Sequence, residues 1–513
     1  MSKKENNPLF LYDTLTKGKK EFKLPKKRKT ILMYDCGPTV YDKPHIGNLA
    51  RYIMSDVLRR YLEYKYKSKG YKVKQVMNIT DVGHLTEDDL ATSDRGEDKI
   101  IAQAKKEGKD PLVIARYYEK EFFKAAKKLN LKIAKAYDIE KGEIKNTKDV
   151  IIVRATDHID DMIKVIKGLV EKGHAYETSK GVYFNVSKFK DYGKLSGNTL
   201  DKLQEGKRVK VDPEKKTPYD FALWIKAPKE HLMQWDSPWG RGYPGWHIEC
   251  TAMSIKYLGE QIDIHTGGED NIFPHHEDEI AQSEAYTGKS PFVKYWIHRR
   301  HMLIDNEKMA KSEGNVYTLE DLEKMGYSPE AFKLAILSGK YNSKMKFSKK
   351  TLKTLKRAKT ILNKIYLNIP KREKLKKEWK SYFSSPNGKP FKIDKKELKE
   401  FDEEVQKSMD DSLNTPEVLA LTAAEISIPE LKTSPENVIK AIEIVDEVLG
   451  TNFSNPPRTN IPDEVIDLIE ERINARKAKD FDKADKIRNE IERKGFEIED
   501  TDSDDVCKLK PKI

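Results

Sequence analysis

A short apolar run, Thr30 to Asp35 (TILMYD), passes through a glycine- and proline-punctuated loop, CGPTVYDKPHIGN, into an amphipathic stretch from Leu49 to Tyr66. The change from a compact apolar run to a 3.6-residue period predicts strand, loop and helix in succession. A second strand near Tyr71 to Ile79 and a helix near Pro111 to Leu129 repeat the alternation. Strands that alternate with helices fold as a parallel sheet covered by helices, because each parallel connection needs a crossover.

Between about Ile144 and Arg241 the pattern changes. Ile159, Met162, Ile163, Ile166, Leu169 and Val170 form one helical stripe ending at Gly173, and GVYFNV alternates like a strand. This stretch reads as an α+β insertion into the sheet domain. The α/β pattern resumes at WHIECTAMSIKYL, with Ile248, Ala252, Ile255 and Leu258 on one helical face and Cys250, Met253 and Tyr257 on another. QIDIHTGG then supplies a strand, and the residues after Phe273 a helix. From about Thr351 the chain is helical and lysine-rich, broken by the polar loop SSPNGKP (Ser384 to Pro390), and no strand signal stands out. Pro462 to Cys507 reads as a charged helical hairpin behind the proline-rich NPPRTNIP.

With 513 residues the chain has length for several domains and a sizeable core. Lys and Arg number 97 against 84 Asp and Glu, and the net +13 favours a polyanionic partner; a lysine-rich solvated surface is the competing explanation. Three cysteines, Cys36, Cys250 and Cys507, are too few for a disulfide scaffold, so their use is local chemistry. No signal-peptide pattern and no run of ~20 apolar residues occurs, from which we expect a cytoplasmic protein with no membrane partner.

Two motifs suit nucleotide chemistry. His45-Ile46-Gly47-Asn48 opens the first helix, where glycine allows close approach, free N–H groups face an anion and His45 can donate to phosphate. Alone, this tetrapeptide reads first as an ordinary capping loop. Lys308-Met309-Ala310-Lys311-Ser312, followed by Glu313-Gly314-Asn315, can bring two ammonium groups to a triphosphate, or can be a solvated turn. The pair, far apart and framed by an interrupted α/β pattern, resembles the twin signatures of class I aminoacyl-tRNA synthetases.

A third constellation has metal-ligand character. Cys36 lies in the first strand-to-helix loop, Cys250 on the helix from Trp246, and His275 and Glu279 four apart on a later helix. Two thiolates, an imidazole and a carboxylate suit tetrahedral zinc; on spacing alone His276 and His247 compete as ligands, and a plain His–Glu hydrogen bond is an alternative.

The segments CGPTVYDKPHIGN, MNITDVGH, WDSPWGRGYPGWHIEC, DIHTGGEDNIFPHHEDEIAQSEA and EKMAKSEGN together resemble the cysteinyl-tRNA synthetases over almost the whole chain. The resemblance implies that Cys36, Cys250, His275 and Glu279 bind one zinc ion that receives the substrate thiolate. His276 and His247 then become secondary. It implies that Cys36, Thr80, Trp246 and His265 meet the cysteine, although Thr80 could simply end a strand, Trp246 be core and His265 a satisfied buried imidazole. ATP, with Mg²⁺, would meet Gly37, His45, Gly47, Asn48, Lys308 and Lys311. By the same resemblance His45, Asn48, Lys308 and Lys311 would carry catalysis, with Lys311 first at the transition state. L-cysteine would form an adenylate and pass to tRNA(Cys). A soft zinc–sulfur bond would reject serine without an editing domain, where shape alone gives only a few kcal/mol.

The implied fold is a Rossmann-like parallel-sheet catalytic domain with an inserted α+β domain and an α-helical C-terminal tRNA-binding region. Its expected divisions are 1–143 and 242–300 for the catalytic halves, 144–241 for the insertion and 301–350 for the mobile-loop and stem-contact region. Residues 351–455 form the helical tRNA-binding domain, marked by SMDDSLNTP (Ser408 to Pro416), and 456–513 a small anticodon-side module, marked by ARKAKDFDKADKIR (Ala475 to Arg488). A monomer is expected. Asn48 stands where histidine is usual, Ala310 where serine is usual, and EDTDSDDVCKLK lacks a tryptophan common after the family's Glu-Asp turn. Two rival readings share these residues: a ligase that passes cysteine to an amino-sugar, and an inactive zinc-stabilised tRNA binder. The C-terminal module argues against the first, and the retained lysines, His45 and ligand set against the second.

Overall fold

A computed structural model describes residues 7–86, 96–202, 213–228, 231–304, 307–308, 316–347, 395–427, 435–453, 463–500 and 507–511. Most of Lys308-Met309-Ala310-Lys311-Ser312, all of SSPNGKP and of NPPRTNIP, and most of EDTDSDDV lie outside the described residues.

Five parallel strands form the main sheet: β1 (Thr30–Asp35), β2 (Lys72–Ile79), β3 (Val150–Arg154), β4 (Ile262–Gly268) and β5 (Val293–Arg299). Their spatial order is β3-β2-β1-β4-β5. The order reverses between β1 and β4, so a crevice opens at their carboxyl ends, where doubly wound sheets bind ligands. The connecting helices are α1 (Ile46–Tyr66), α2 (Pro111–Lys128), α3 (Ile159–Glu171), α4 (Trp246–Leu258) and α5 (Glu277–Thr287). The mixed α/β, Rossmann-like fold is as expected.

The expected insertion, 144–241, does not stand wholly apart from the sheet. Its five-residue VIIVR run pairs with β2 as the edge strand β3, because a short apolar run continuing the crossover pattern gains a parallel partner there. Beyond α3 the chain forms an antiparallel four-stranded sheet from Ala175–Glu177, Gly181–Phe184, Phe221–Lys226 and Gly242–Pro244. Its last strand borders α4 directly, and thereby joins this sheet to the helix that carries Cys250.

Helix α1 is buried nearly all round, including Ile53, Val57, Tyr61 and Lys65. Such a helix needs cover on two sides. One side faces the sheet; α6 (Pro329–Leu337), α7 (Lys395–Asp410) and α9 (Pro435–Leu449) supply the other, with α8 (Thr415–Ser427) behind them. Asp410 receives hydrogen bonds from Tyr61 Oη (2.6 Å) and Lys65 Nζ (2.7 Å). The N-terminal strand Phe10–Asp13 is closed by the turn after α7: Tyr12 N donates to Ser412 Oγ (2.8 Å), and Ser412 N to Phe10 O (2.9 Å).

A second unit contains α10 (Asp463–Lys477), α11 (Phe481–Arg493) and a hairpin of β6 (Phe496–Asp500) and β7 (Cys507–Pro511). Val465, Ile487, Ile491 and Ile498 form its small core. The helical pair was expected and the strands were not: FEIED and CKLKP are too charged to stand out until Ile498 is seen to pack under the helices.

Candidate metal centre and active site

Cys36 leaves the end of β1 and Cys250 sits one turn into α4. Both turns require glycine beside them. A Cβ at Gly37 would lie 1.4 Å from the Asn78 carbonyl oxygen, and one at Gly245 2.1 Å from that of Ala222. Asn78 then ties the loop after Cys36 to Cys250: its Oδ1 accepts from Gly37 N (2.7 Å) and from Cys250 Sγ (3.6 Å). His275 ends a wide turn, Ile272–His276, and Glu279 lies in the acidic first turn of α5, a position that the helix dipole favours.

These four residues converge. The two sulfurs are 3.7 Å apart, His275 Nε2 lies 3.5 Å from Cys250 Sγ and 3.0 Å from Glu279 Oε1, and that oxygen is 3.8 Å from Cys36 Sγ. Two thiolates held about 2.3 Å from one tetrahedral ion stand about 3.8 Å apart, so the donor set fits zinc in both chemistry and spacing. All four side chains are buried. Cys36, His265, His276 and Glu279 form a second cluster of similar compactness, with His276 Nε2 3.2 Å from Cys36 Sγ. The set with two sulfurs is the softer and suits zinc better.

Burial and mutual repulsion set the two thiols apart. Burial pushes the Cys36 thiol up, but the hydrogen bond from Cys250 and the His275 charge bring it down to about 6. Burial, and then the neighbouring Cys36, push Cys250 well above the usual thiol range. Without a positive ion, only one of the pair ionises readily. Burial also opposes ionisation of Glu279, yet the charges of His265 and His275 hold it at about 2. His275 is lifted against its burial by Cys36 and Glu279, whereas His276 is driven well down by burial and by His265 and His298.

Outer partners orient the rings. His275 Nδ1 meets His247 Nδ1 (3.0 Å), and His247 Nε2 is 3.5 Å from Asp278; His276 Nδ1 meets His298 Nε2 (2.7 Å), whose Nδ1 meets Thr14 Oγ1 (2.7 Å). His265 Nε2 lies 2.8 Å from Glu279 Oε2, and its ring stacks on Trp296. Trp246 is sandwiched between His275 and His84, the latter parallel at 3.8 Å. Thr80 Oγ1 donates to Glu249 Oε2 (2.8 Å).

His45 caps α1, its Nδ1 accepting from Asn48 N (3.2 Å) while Asn48 Oδ1 accepts from His45 N (3.4 Å). Ile46 N donates to Tyr317 O (2.8 Å), so the chain leaving the lysine loop returns to the start of α1, beside Gly47. Lys308 pairs through its backbone with Leu303; Lys311 lies outside the described residues.

Residues 22–357 match the family model of the class I (C) tRNA synthetase catalytic domain. Along 96% of its length the chain is 40% identical to the cysteine–tRNA ligase of Thermus thermophilus, covering 98% of that protein. The corresponding enzyme of Thermococcus gammatolerans is 41% identical over 97% of this chain and 98% of its own. The chain belongs to the cysteine–tRNA ligase family.

A solved methionyl-tRNA synthetase of Mycobacterium tuberculosis, in complex with methionyl-adenylate, shares the fold of this cysteine–tRNA ligase family member. Its TM-score is 0.56 at 14% identity, with 83% of this chain and 92% of that one covered. Three residues of this family member escaped sequence reasoning. Asn78 and His84 lie inside the quoted MNITDVGH but offer no ligand spacing, and His298 sits alone in a strand. What links them to the centre is tertiary: Asn78 joins the Gly37 N–H to the Cys250 thiol, His84 stacks on Trp246 and His298 supports His276.

Proposed function

We propose that the chain activates L-cysteine with ATP to cysteinyl-adenylate and transfers it to tRNA(Cys), selecting cysteine at a zinc ion. The observation that carries the reading is the buried Cys36–Cys250–His275–Glu279 cluster at the carboxyl ends of β1 and β4, next to the capped start of α1. One zinc would be held by those four side chains. When bound, zinc supplies a soft Lewis acid that takes a thiolate and gains far less from a serine hydroxyl. Thr80, Trp246 and His265 shape the cysteine pocket around it.

ATP would meet Gly37, Gly47, His45 and Asn48 at the helix start, with Mg²⁺ balancing its phosphates. Lys308 and Lys311 stabilise charge as the cysteine carboxylate attacks the α-phosphate and pyrophosphate leaves. The terminal ribose hydroxyl of tRNA then attacks the mixed anhydride. Residues 1–143 and 242–300 form the catalytic halves apart from β3, 301–350 the loop and stem contact, 351–455 the tRNA-binding helices and 456–513 an anticodon-side module. The working species is a cytoplasmic monomer.

Cysteine-dependent ATP–pyrophosphate exchange followed by tRNA charging tests the reading. Exchange without charging would point to a small-molecule acceptor, and good tRNA binding without exchange to an inactive binder. Cys250→Ser should lose most bound zinc and cysteine activation, since an alcohol is a poor zinc ligand. Parental metal content and activity in that variant would sink the zinc assignment.

A further inference from the structure

Asp35 closes β1 one residue before Cys36. By the strand's alternation it continues the buried face of Ile31 and Met33, where an apolar residue is the ordinary choice. The carboxyl is instead fully enclosed, 1% exposed, and its hydrogen-bond partners among the described residues are three neutral donors. Ser55 Oγ on α1 lies 2.7 and 2.6 Å from the two oxygens, Gln75 Nε2 on β2 donates at 2.5 Å, and Thr266 Oγ1 on β4 donates to Oδ1. A carboxyl buried without a cation is costly, so an apolar side chain would serve mere stability better.

What the carboxyl does secure is the start of the metal loop. Thr266, gripped through its hydroxyl by Asp35, accepts the Cys36 N–H on its own carbonyl (3.2 Å). Gln75 is locked from behind by Arg59 Nη1 on α1 (2.9 Å). On the far side Gly37 is pinned to Asn78. Cys36 is thus held at both ends, and its sulfur is set against Cys250 by α1, β2 and β4 together.

We infer that Asp35 is a positioning residue for the metal centre, fixing the Cys36 thiolate through Ser55, Gln75 and Thr266. The inference rests on the proposed zinc site. Metal geometry tolerates about 0.2 Å in ligand distance, so a small shift of the Cys36 backbone is felt at the ion.

The test uses the full chain with Asp35→Asn, Asp35→Val, Thr266→Val and Thr266→Ser. Zinc affinity is measured by chelator competition, cobalt(II) loading by its thiolate charge-transfer band, and folding by thermal melts of the metal-free protein. In Asp35→Asn and Thr266→Val, zinc should bind roughly 10–100-fold more weakly, as expected when a group that orients a ligand is removed. The cobalt band should fall, and KM for cysteine should rise while KM for ATP stays within about twofold. Thr266→Ser, which keeps the hydroxyl, should bind zinc like the parent. If Asp35→Val does not fold, Asp35→Asn and Thr266→Val carry the test. A folded Asp35→Asn with parental zinc affinity and cobalt spectrum overturns the positioning role alone; a parent chain that binds no zinc overturns the metal reading beneath it.

Discussion

Lys333 shows how much one buried charge can shape this protein's response to pH. Its Nζ donates to Leu129 O (2.9 Å) and Gly450 O (2.7 Å) and lies 3.9 Å from Asp56, which Arg60 already engages at 2.6 Å. Burial pulls the amine down from 10.5 to about 8, against the attraction of Asp56. The folded value lies below the unfolded one, so between pH 8 and 10.5 the unfolded chain binds more protons and stability rises with pH. Below pH 8 the full cost is present, on the order of 3 kcal/mol at about 1.4 kcal/mol per unit. Lys333→Met should remove the rise, which urea unfolding across that window would detect; an unchanged slope would contradict the assignment. Gly37→Ala meets a backbone oxygen that cannot yield, and should cost several kcal/mol, about 3 or more, with loss of cysteine activation. A melting temperature within a degree or two of the parent would refute that.

At the scale of elements, α1 joins two jobs in one helix. Its first turn carries the His45-to-Asn48 motif that we propose meets ATP, and His45 and Asn48 cap one another, so Asn48 supports the helix as well as facing solvent. Asn48→Ala should therefore lose about 1 kcal/mol of stability, read by urea unfolding of the ligand-free chain. The strand-loop-helix order around α1 was legible because the two periods are distinct and glycine and proline separate them. The edge strand β3 was less so, since four apolar residues carry no period that tells the main sheet from the insertion. The β6–β7 hairpin was hidden because its pairing joins two charged pentapeptides, and only in three dimensions do Ile498 and Phe496 pack on the core of α10 and α11. The family resemblance drew Cys36, Cys250, His275 and Glu279 together, where spacing alone left His247 and His276 open as ligands; the stacking of His84 and the link through Asn78 needed the third dimension.

Across the first unit, α7 to α9 are structural partners of the sheet domain as well as candidates for tRNA contact. Asp410 meets Tyr61 and Lys65, and Lys65 is 4% exposed, so Asp410→Ala leaves a buried ammonium without its partner. The loss should be roughly 3–5 kcal/mol by urea unfolding, and a loss under about 1 kcal/mol would show that the junction contributes little. The clasp of Phe10–Asp13 by Ser412 reaches across 400 positions. During synthesis the ribosome makes the first strand long before its fastening residue emerges, by about 20–80 s at roughly 5–20 residues per second. Until then Gly18–Glu21 can already pair with one edge of that strand, while the edge that Ser412 fastens stays open.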